Sequence, residues 1–87
     1  MPAPVPTVSI SGPDRLVVGE TAVAFSVTVR NAVGWYWVDA AGNRFGDGLS
    51  TVFIDATTPG VTTLTVYATN VDGAARAVTK AYTVVPG

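Results

Sequence analysis

The stretch TAVAFSVTVR, residues 21–30, decides the fold. Val23, Phe25, Val27 and Val29 fall on one face of an extended chain, and small or polar residues fall on the other face. This period of two is typical of a β-strand with one buried face, whereas an amphipathic helix repeats its apolar residues every three or four positions. The stretch therefore predicts a strand that covers a hydrophobic core.

Similar patterns extend in both directions along the chain, separated by turns rich in Gly, Pro, Asn and Asp. The predicted strands cover residues 7–11, 16–18, 21–30, 33–38, 44–45, 51–55, 62–70 and 75–85. Stretch 16–18 continues the first strand along an edge, so the pattern amounts to about seven strands. Short strands at this spacing indicate an all-β fold, a two-sheet antiparallel sandwich.

The inward-facing positions of these strands define a predicted core. It consists of Val23, Phe25, Val27, Trp35, Trp37, Leu64, Val66 and Val84. The two tryptophans share one face of their strand, where they either fill the space between the sheets or form a platform for sugar rings. We expect Trp37 to be the central core residue. Strict alternation also turns Lys80 inward, which favours a bulge or an edge position there.

Composition excludes several function classes. The chain has 87 residues, 48% of them hydrophobic and 13% charged, which predicts one compact domain. It contains no Cys and no His, so the commonest general base and the commonest soft metal ligands are missing. Five basic and six acidic residues form no basic patch, and no apolar run is long enough to span a bilayer. We therefore expect no nucleic-acid binding and no membrane insertion.

Carboxylates are the remaining candidates for chemistry. Asp39 and Asp47 flank one loop region, but aspartates in turns ordinarily bind local backbone groups. Asp39, Asn43 and Asp47 supply three oxygen side chains for calcium, although the spacing is not that of an EF-hand and Arg44 adds a positive charge. The sequence predicts no enzyme, no cofactor and no metal site, with calcium in this loop as the weaker alternative.

Outward-facing aromatic residues are the candidates for ligand or partner contact. Tyr36, Tyr67 and Phe53 are predicted on outer faces or strand ends. If they cluster, they form a patch for a polysaccharide or a protein, because exposed aromatic clusters mark contact sites. If they are scattered singly, they carry no function.

The beginning of the chain differs from the rest. Residues 1–6 contain alternating prolines, which predicts an extended linker, and the domain proper is expected to cover residues 7–85. A module cut from a longer protein is expected to begin in this way. Neighbouring domains are therefore among the expected partners.

The order of short motifs between residues 8 and 84 resembles that of a PKD-type immunoglobulin-like domain. The motifs are VVGET at 17–21, FS at 25–26, the tryptophans at 35 and 37, FGDG at 45–48, PG at 59–60, LTVYATN at 64–70, Gly73 and KAYTV at 80–84. In that family the tryptophan is followed almost at once by Phe-Gly-Asp-Gly, whereas here residues 38–44 intervene.

The resemblance implies an immunoglobulin-like β-sandwich without catalytic activity. Such modules act as spacers or interaction units in multidomain cell-surface or secreted proteins, so an extracellular location is expected. Two alternatives remain open at this point. One is a structural domain of a phage virion, for decoration or for the tail, and the other is a carbohydrate-binding accessory module.

Overall fold

The computed structural model describes residues 3–87, within which it contains eight β-strands and no helix. They are β1 (Thr7–Ser11), β2 (Arg15–Val17), β3 (Val23–Arg30), β4 (Gly34–Asp39), β5 (Arg44–Phe45), β6 (Thr51–Ile54), β7 (Gly60–Thr69) and β8 (Ala75–Val85). The predicted strands 7–11, 44–45 and 75–85 have the predicted bounds, and the others differ by one or two residues at their ends. Residues 1 and 2 of the predicted linker 1–6 lie outside the described residues.

The strands form two sheets. One has the order β1-β3-β6, and the other has the order β2-β8-β7-β4-β5. Neighbouring strands are antiparallel except β2 and β8, which are parallel. The order β8-β7-β4-β5 corresponds to the G-F-C-C′ sheet of an immunoglobulin-like sandwich. The predicted all-β sandwich of two sheets is confirmed, with one parallel pair that the alternation did not reveal.

The core lies between the facing sides of the two sheets. The structure buries six residues of the predicted core, namely Phe25, Val27, Trp37, Leu64, Val66 and Val84. Val23 and Trp35 are partly buried and pack against this cluster, because they lie near the beginnings of β3 and β4. The cluster also contains Leu16, Val52, Ala56 and Tyr82. Fully burying such side chains is the main contribution to stability in a chain without disulfides.

The two tryptophans converge on one backbone carbonyl. Trp37 is 0% exposed, and its Nε1–H donates to the carbonyl oxygen of Leu49 at 2.9 Å. The Nε1–H of Trp35 donates to the same oxygen at 3.0 Å. A buried indole N–H without an acceptor is costly, so this shared carbonyl allows both rings to face the core.

The loop that carries this carbonyl, residues 46–50, connects the two sheets. Its Gly48 N–H donates to the carbonyl of Trp35 in β4 at 2.8 Å. Its Ser50 carbonyl accepts the N–H of Val27 in β3 at 2.7 Å. Because one loop is bonded to a strand of each sheet, it fixes the position of the sheets relative to each other beside the tryptophans.

Residues 38–44, which lie between Trp37 and Phe45, have a clear structural role. They complete β4, turn, and begin β5, so that Phe45 returns to a position directly opposite Trp37. The two ring centroids are 6.5 Å apart. Gly46 follows with a φ of +63°, and a Cβ there would lie 2.9 Å from atoms of both Trp37 and Val52. The hairpin thus places the Phe-Gly pair against the tryptophan.

Strand β3 begins two residues later than predicted. Ala22 adopts a φ of +51°, which ends the extended conformation before Val23. Its N–H donates to Asp55 Oδ1 at 2.9 Å, in the loop after β6. A long-range hydrogen bond of this kind compensates for a backbone conformation that alanine rarely adopts.

Lys80 lies on the inner face without a bulge. The pairing of β7 with β8 is unbroken from Gly60 and Val84 to Thr69 and Ala75. Strand β2 pairs only with the last three residues of β8, so Lys80 lies on an open edge, as one of the two alternatives predicted. Its ammonium group pairs with the Asp14 carboxylate and lowers the pKa of that carboxyl. An inward-pointing charge on an open edge opposes strand addition from another chain.

The beginning of the described chain is bound to the turn between β7 and β8. Asn70 is only 3% exposed, and its Nδ2 donates to the carbonyl of Pro4 at 2.9 Å. Its Oδ1 accepts the N–H groups of Asp72 and Ala74 at 3.0 and 2.9 Å. The Asp72 carboxylate accepts the N–H of Ala3 at 2.8 Å. One buried amide thus holds both the turn and the entering chain.

Replacing the central indole tests the core. We expect Trp37→Ala to lower the free energy of unfolding by about 3 to 5 kcal/mol, because it removes a large buried side chain and leaves a cavity. Trp37→Phe keeps a ring and is expected to cost less. Urea unfolding followed by the fluorescence of Trp35 measures both variants. Phe53→Ala removes an exposed ring and is the control, with an expected change within about 0.5 kcal/mol. Equal unfolding midpoints for Trp37→Ala and wild type would contradict the core assignment.

Gly60 tests the backbone requirement of the turn before β7. Its φ of +131° lies in a region that glycine adopts readily and other residues rarely do, and a Cβ there has nothing within 4 Å. We expect Gly60→Val to lower the free energy of unfolding by about 1 to 3 kcal/mol through backbone strain alone. Gly34→Val is the matched control, because Gly34 also has open space but no positive φ. Thermal melting that shows equal losses for both variants would refute the strain explanation.

Candidate functional site

Two of the three predicted contact aromatics lie side by side. Tyr36 of β4 and Tyr67 of β7 are directly opposite each other on the outer face of the five-stranded sheet. Their ring centroids are 5.4 Å apart, with an angle of 21° between the ring planes. Tyr36 is half-buried, and Tyr67 is 40% exposed. Such cross-strand stacking fixes both rings without any ligand.

The third predicted contact residue, Phe53, lies elsewhere. It is on β6, opposite Ala24 of β3, on the outer face of the three-stranded sheet. Its side chain is 67% exposed. Because the outer faces of the two sheets point in opposite directions, Phe53 does not join the Tyr36–Tyr67 pair.

A charged pair completes the tyrosine stack. The guanidinium carbon of Arg44 lies 4.0 Å from the centroid of the Tyr36 ring. Arg44 also donates from Nε and Nη2 to the two carboxylate oxygens of Asp47, at 3.1 and 2.7 Å. This pairing lowers the pKa of Asp47 and raises the pKa of Arg44. Tyr36 therefore lies between a second aromatic ring and a cation whose charge is neutralised.

The stack borders a hollow of about 350 Å³. The hollow is lined by Gly34, Trp35, Tyr36, Arg44, Asp47, Gly48, Tyr67 and Thr69. Gly34 belongs to the same outer face as Tyr36, two positions earlier, and lies opposite Thr69. With no side chain at position 34, the space beside the tyrosine ring stays open, and this volume is near the lower limit for ligand sites.

Sequence reasoning missed Gly34, Thr69 and the contact role of Arg44. From the sequence alone, Arg44 is only a positive charge that opposes calcium binding in its loop. The signal that could have identified these residues is the alternation within the β4–β5 hairpin. Once the turn is placed at residues 40–43, Arg44 shares a face with Tyr36, and Gly34 becomes a gap in that face.

The loop considered for calcium uses its oxygens locally. Asp39 Oδ1 accepts the N–H groups of Ala41 and Asn43 at 3.0 and 2.9 Å, and Asp39 Oδ2 accepts from Asn43 Nδ2 at 3.3 Å. Both oxygens of Asp47 are bound to Arg44. Across residues 3–87 no three acidic side chains form a group that could hold a metal ion. The loop is thus an Asx-type turn followed by an ion pair.

The same two carboxylates were the candidates for acid–base chemistry. Hydrogen bonding from Asn43 lowers the pKa of Asp39, and hydrogen bonding from Arg44 lowers the pKa of Asp47. A general acid that works near neutral pH needs a carboxyl pKa raised towards 7. The surroundings of Asp39 and Asp47 instead lower the pKa of both carboxyl groups.

A second hollow of about 350 Å³ lies at the other end of the sandwich, against the turn at residues 57–60. Its lining is mostly threonine, proline and glycine, with Tyr82 as the one aromatic ring. Burial raises the pKa of the Tyr82 phenol. The one carboxylate that lines this hollow, that of Asp55, already accepts the N–H of Ala22. Fewer aromatic and charged groups converge here than beside Gly34.

Comparison with known proteins gives no family. The sequence matches no protein-family model, and a search of curated proteins returns no significant match. Within the described chain there is no helix long and apolar enough to cross a membrane.

Acid should destabilise the domain through its exposed aspartates. The pKa values of Asp14, Asp39 and Asp47 are lowered in the folded state, so their contribution to stability is complete above the unfolded value near pH 4. That contribution is lost as the pH falls through the folded pKa values. We expect the melting temperature to fall between pH 6 and pH 3.

Two variants isolate the Asp39 contribution. Asp39→Asn keeps an acceptor oxygen but does not titrate, so its melting temperature should depend less steeply on pH than that of wild type. Asp39→Ala should in addition be less stable at pH 6, because the turn loses its acceptor. A melting temperature that stays constant or rises from pH 6 to pH 3 would contradict the assigned ion pairs and turn bonds.

Proposed function

We propose that this chain is a non-catalytic immunoglobulin-like module of the PKD type that acts as a spacer or interaction unit in a multidomain cell-surface or secreted protein. The observation that carries this proposal is the position of its two ends. The domain is elongated, with extents of 52 × 19 × 17 Å. The described chain enters beside the turn before β8 and leaves beside the end of β8. A module of this shape separates its neighbours by most of the length of its longest strand.

The positions of the ends follow from the hydrogen bonds. Ala3 and Pro4 are bound at the turn that precedes β8. Gly87 lies close to the backbone of Val18, beside the end of β8. Strand β8 has 11 residues, so it separates these points by about 35 Å at roughly 3.3 Å per residue.

Both ends are attached to the sandwich by hydrogen bonds. At the first end, the buried Asn70 amide holds the entering backbone. At the second end, β2 pairs with the last residues of β8, and the Val18 N–H donates to the Val85 carbonyl at 2.9 Å. Strands β2 and β8 are parallel. A force that pulls the two ends of the chain apart therefore acts along these strands, and the hydrogen bonds between β2 and β8 resist it together.

The first end also offers a surface to a neighbouring domain. Val33 and Val71 are 72% and 73% exposed beside the entering chain. Together with Pro4, Asn31 and Ala32 they border a shallow hollow of about 270 Å³. Apolar side chains grouped at the point of chain entry are available for an interdomain contact. The secreted or cell-surface setting rests on the PKD-type motif order.

Tandem copies test the spacer role. We expect proteins with one, two and three directly linked copies to show a maximum dimension in small-angle X-ray scattering that grows by about 35 to 50 Å per copy. The growth reflects entry and exit at opposite ends. A maximum dimension independent of copy number would reject the spacer proposal.

The anchoring of the entering chain can be tested in the same series. Asn70→Ala removes the buried amide and should broaden the distribution of distances between copies. Asn43→Ala is the matched control, because Asn43 bonds only within its own turn and should leave the distribution unchanged. Equal distributions for the two variants would show that Asn70 does not hold the junction.

A further inference from the structure

The hollow beside Gly34 is a gap in an otherwise filled sheet face. A Cβ at position 34 would have nothing within 4 Å. Tyr36 lies two positions farther along β4, and Thr69 of β7 lies directly opposite Gly34. On the far side, Asp47 and Gly48 close the hollow. The missing side chain therefore creates a recess with an aromatic wall and a polar rim.

The aromatic wall is preorganised. Tyr36 has Tyr67 against one side and the Arg44 guanidinium over its ring at 4.0 Å. Neither ring has to give up rotamer freedom when a ligand arrives, because the stack already restricts it. Preorganisation of this kind increases affinity by reducing the entropy lost on binding.

The polar rim carries no net charge. The Arg44–Asp47 pair presents guanidinium N–H donors and carboxylate acceptors side by side, and two of the donor–acceptor contacts are already used between them. Both side chains are more than half exposed, so their remaining donors and lone pairs are accessible to a ligand. Adjacent hydroxyl groups, each a donor and an acceptor, match such a rim better than an anion does, since Asp47 would repel an anion.

We infer that this hollow binds one or two sugar rings of a neutral polysaccharide. The sugar C–H groups pack against the exposed part of Tyr67, which Tyr36 holds in place, and the hydroxyl groups bond to the Arg44–Asp47 pair and to Thr69. A proline-rich peptide fits less well, because the Trp35 indole N–H is bound to the Leu49 carbonyl and is not free for a peptide carbonyl. This inference goes beyond the proposed function, because a spacer needs no ligand and the spacer proposal stands if the sugar site fails.

Retention on insoluble cellulose, chitin and starch, followed by titration with soluble oligosaccharides of the retaining polymer, tests the site. We expect retention on at least one of the three. Gly34→Leu fills the recess without strain, since position 34 has open space and no positive φ. Gly34→Leu and Tyr67→Ala should each weaken binding by about tenfold or more.

Two further variants separate the site from general stickiness. Phe53→Ala removes an exposed ring from the other sheet and should leave binding unchanged. Asp47→Asn leaves Arg44 unneutralised, so binding to an anionic polysaccharide such as alginate should appear at low salt. Thermal melting of every variant establishes that it is folded.

The inference is overturned by any of four results. They are no retention of the wild type on the three neutral polymers, retention that Gly34→Leu does not reduce, equal loss in Phe53→Ala, and tighter binding of a proline-rich peptide than of any oligosaccharide. None of these results bears on the length increments measured with tandem copies, so failure of the sugar site and failure of the spacer proposal are distinguishable.

Discussion

The hydrogen bond from the Trp37 indole to the Leu49 carbonyl is the constraint on which the rest of the sandwich depends. The indole is fully buried between the sheets, and its N–H needs an acceptor there. The loop 46–50 supplies this acceptor and is bonded to β3 and to β4. Gly46 is required in that loop, because any side chain would collide with Trp37. The loop 46–50 therefore links the packing of Trp37 to the spacing between the two sheets.

The features on which the two proposals rest lie outside the packed interior, on an outer sheet face and at the ends of the domain. The hairpin that returns Phe45 to Trp37 on the inner face also places Arg44 over Tyr36 on the outer face. One register therefore determines both the core contact and the tyrosine stack. At the ends of the domain, Asn70 holds the entering chain and β2 holds the end of β8. The proposed spacer role and the proposed sugar site are compatible, because they use different surfaces.

Alternation predicted the fold better than it predicted the site. The clean pattern of β3 identified a strand with a buried face, and the tryptophans were correctly expected on one face of β4. Strand ends were less well predicted, since the left-handed φ of Ala22 depends on a bond to Asp55, far along the chain. Of the three exposed aromatics, the pattern could not tell that Tyr36 and Tyr67 are neighbours while Phe53 lies on the other sheet.

The sequence by itself determined the strands, their inward faces and the absence of cysteine and histidine chemistry, because period-two burial and composition are local properties of the chain. Only the tertiary structure decided which strands are neighbours. Pairing between β4 and β7 is what places Gly34 beside Thr69 and Tyr36 beside Tyr67. The bond from Asn70 to the entering chain, at the start of β8, is what places the two ends of the chain at opposite ends of that strand. Such contacts depend on register between distant segments, which no local pattern encodes.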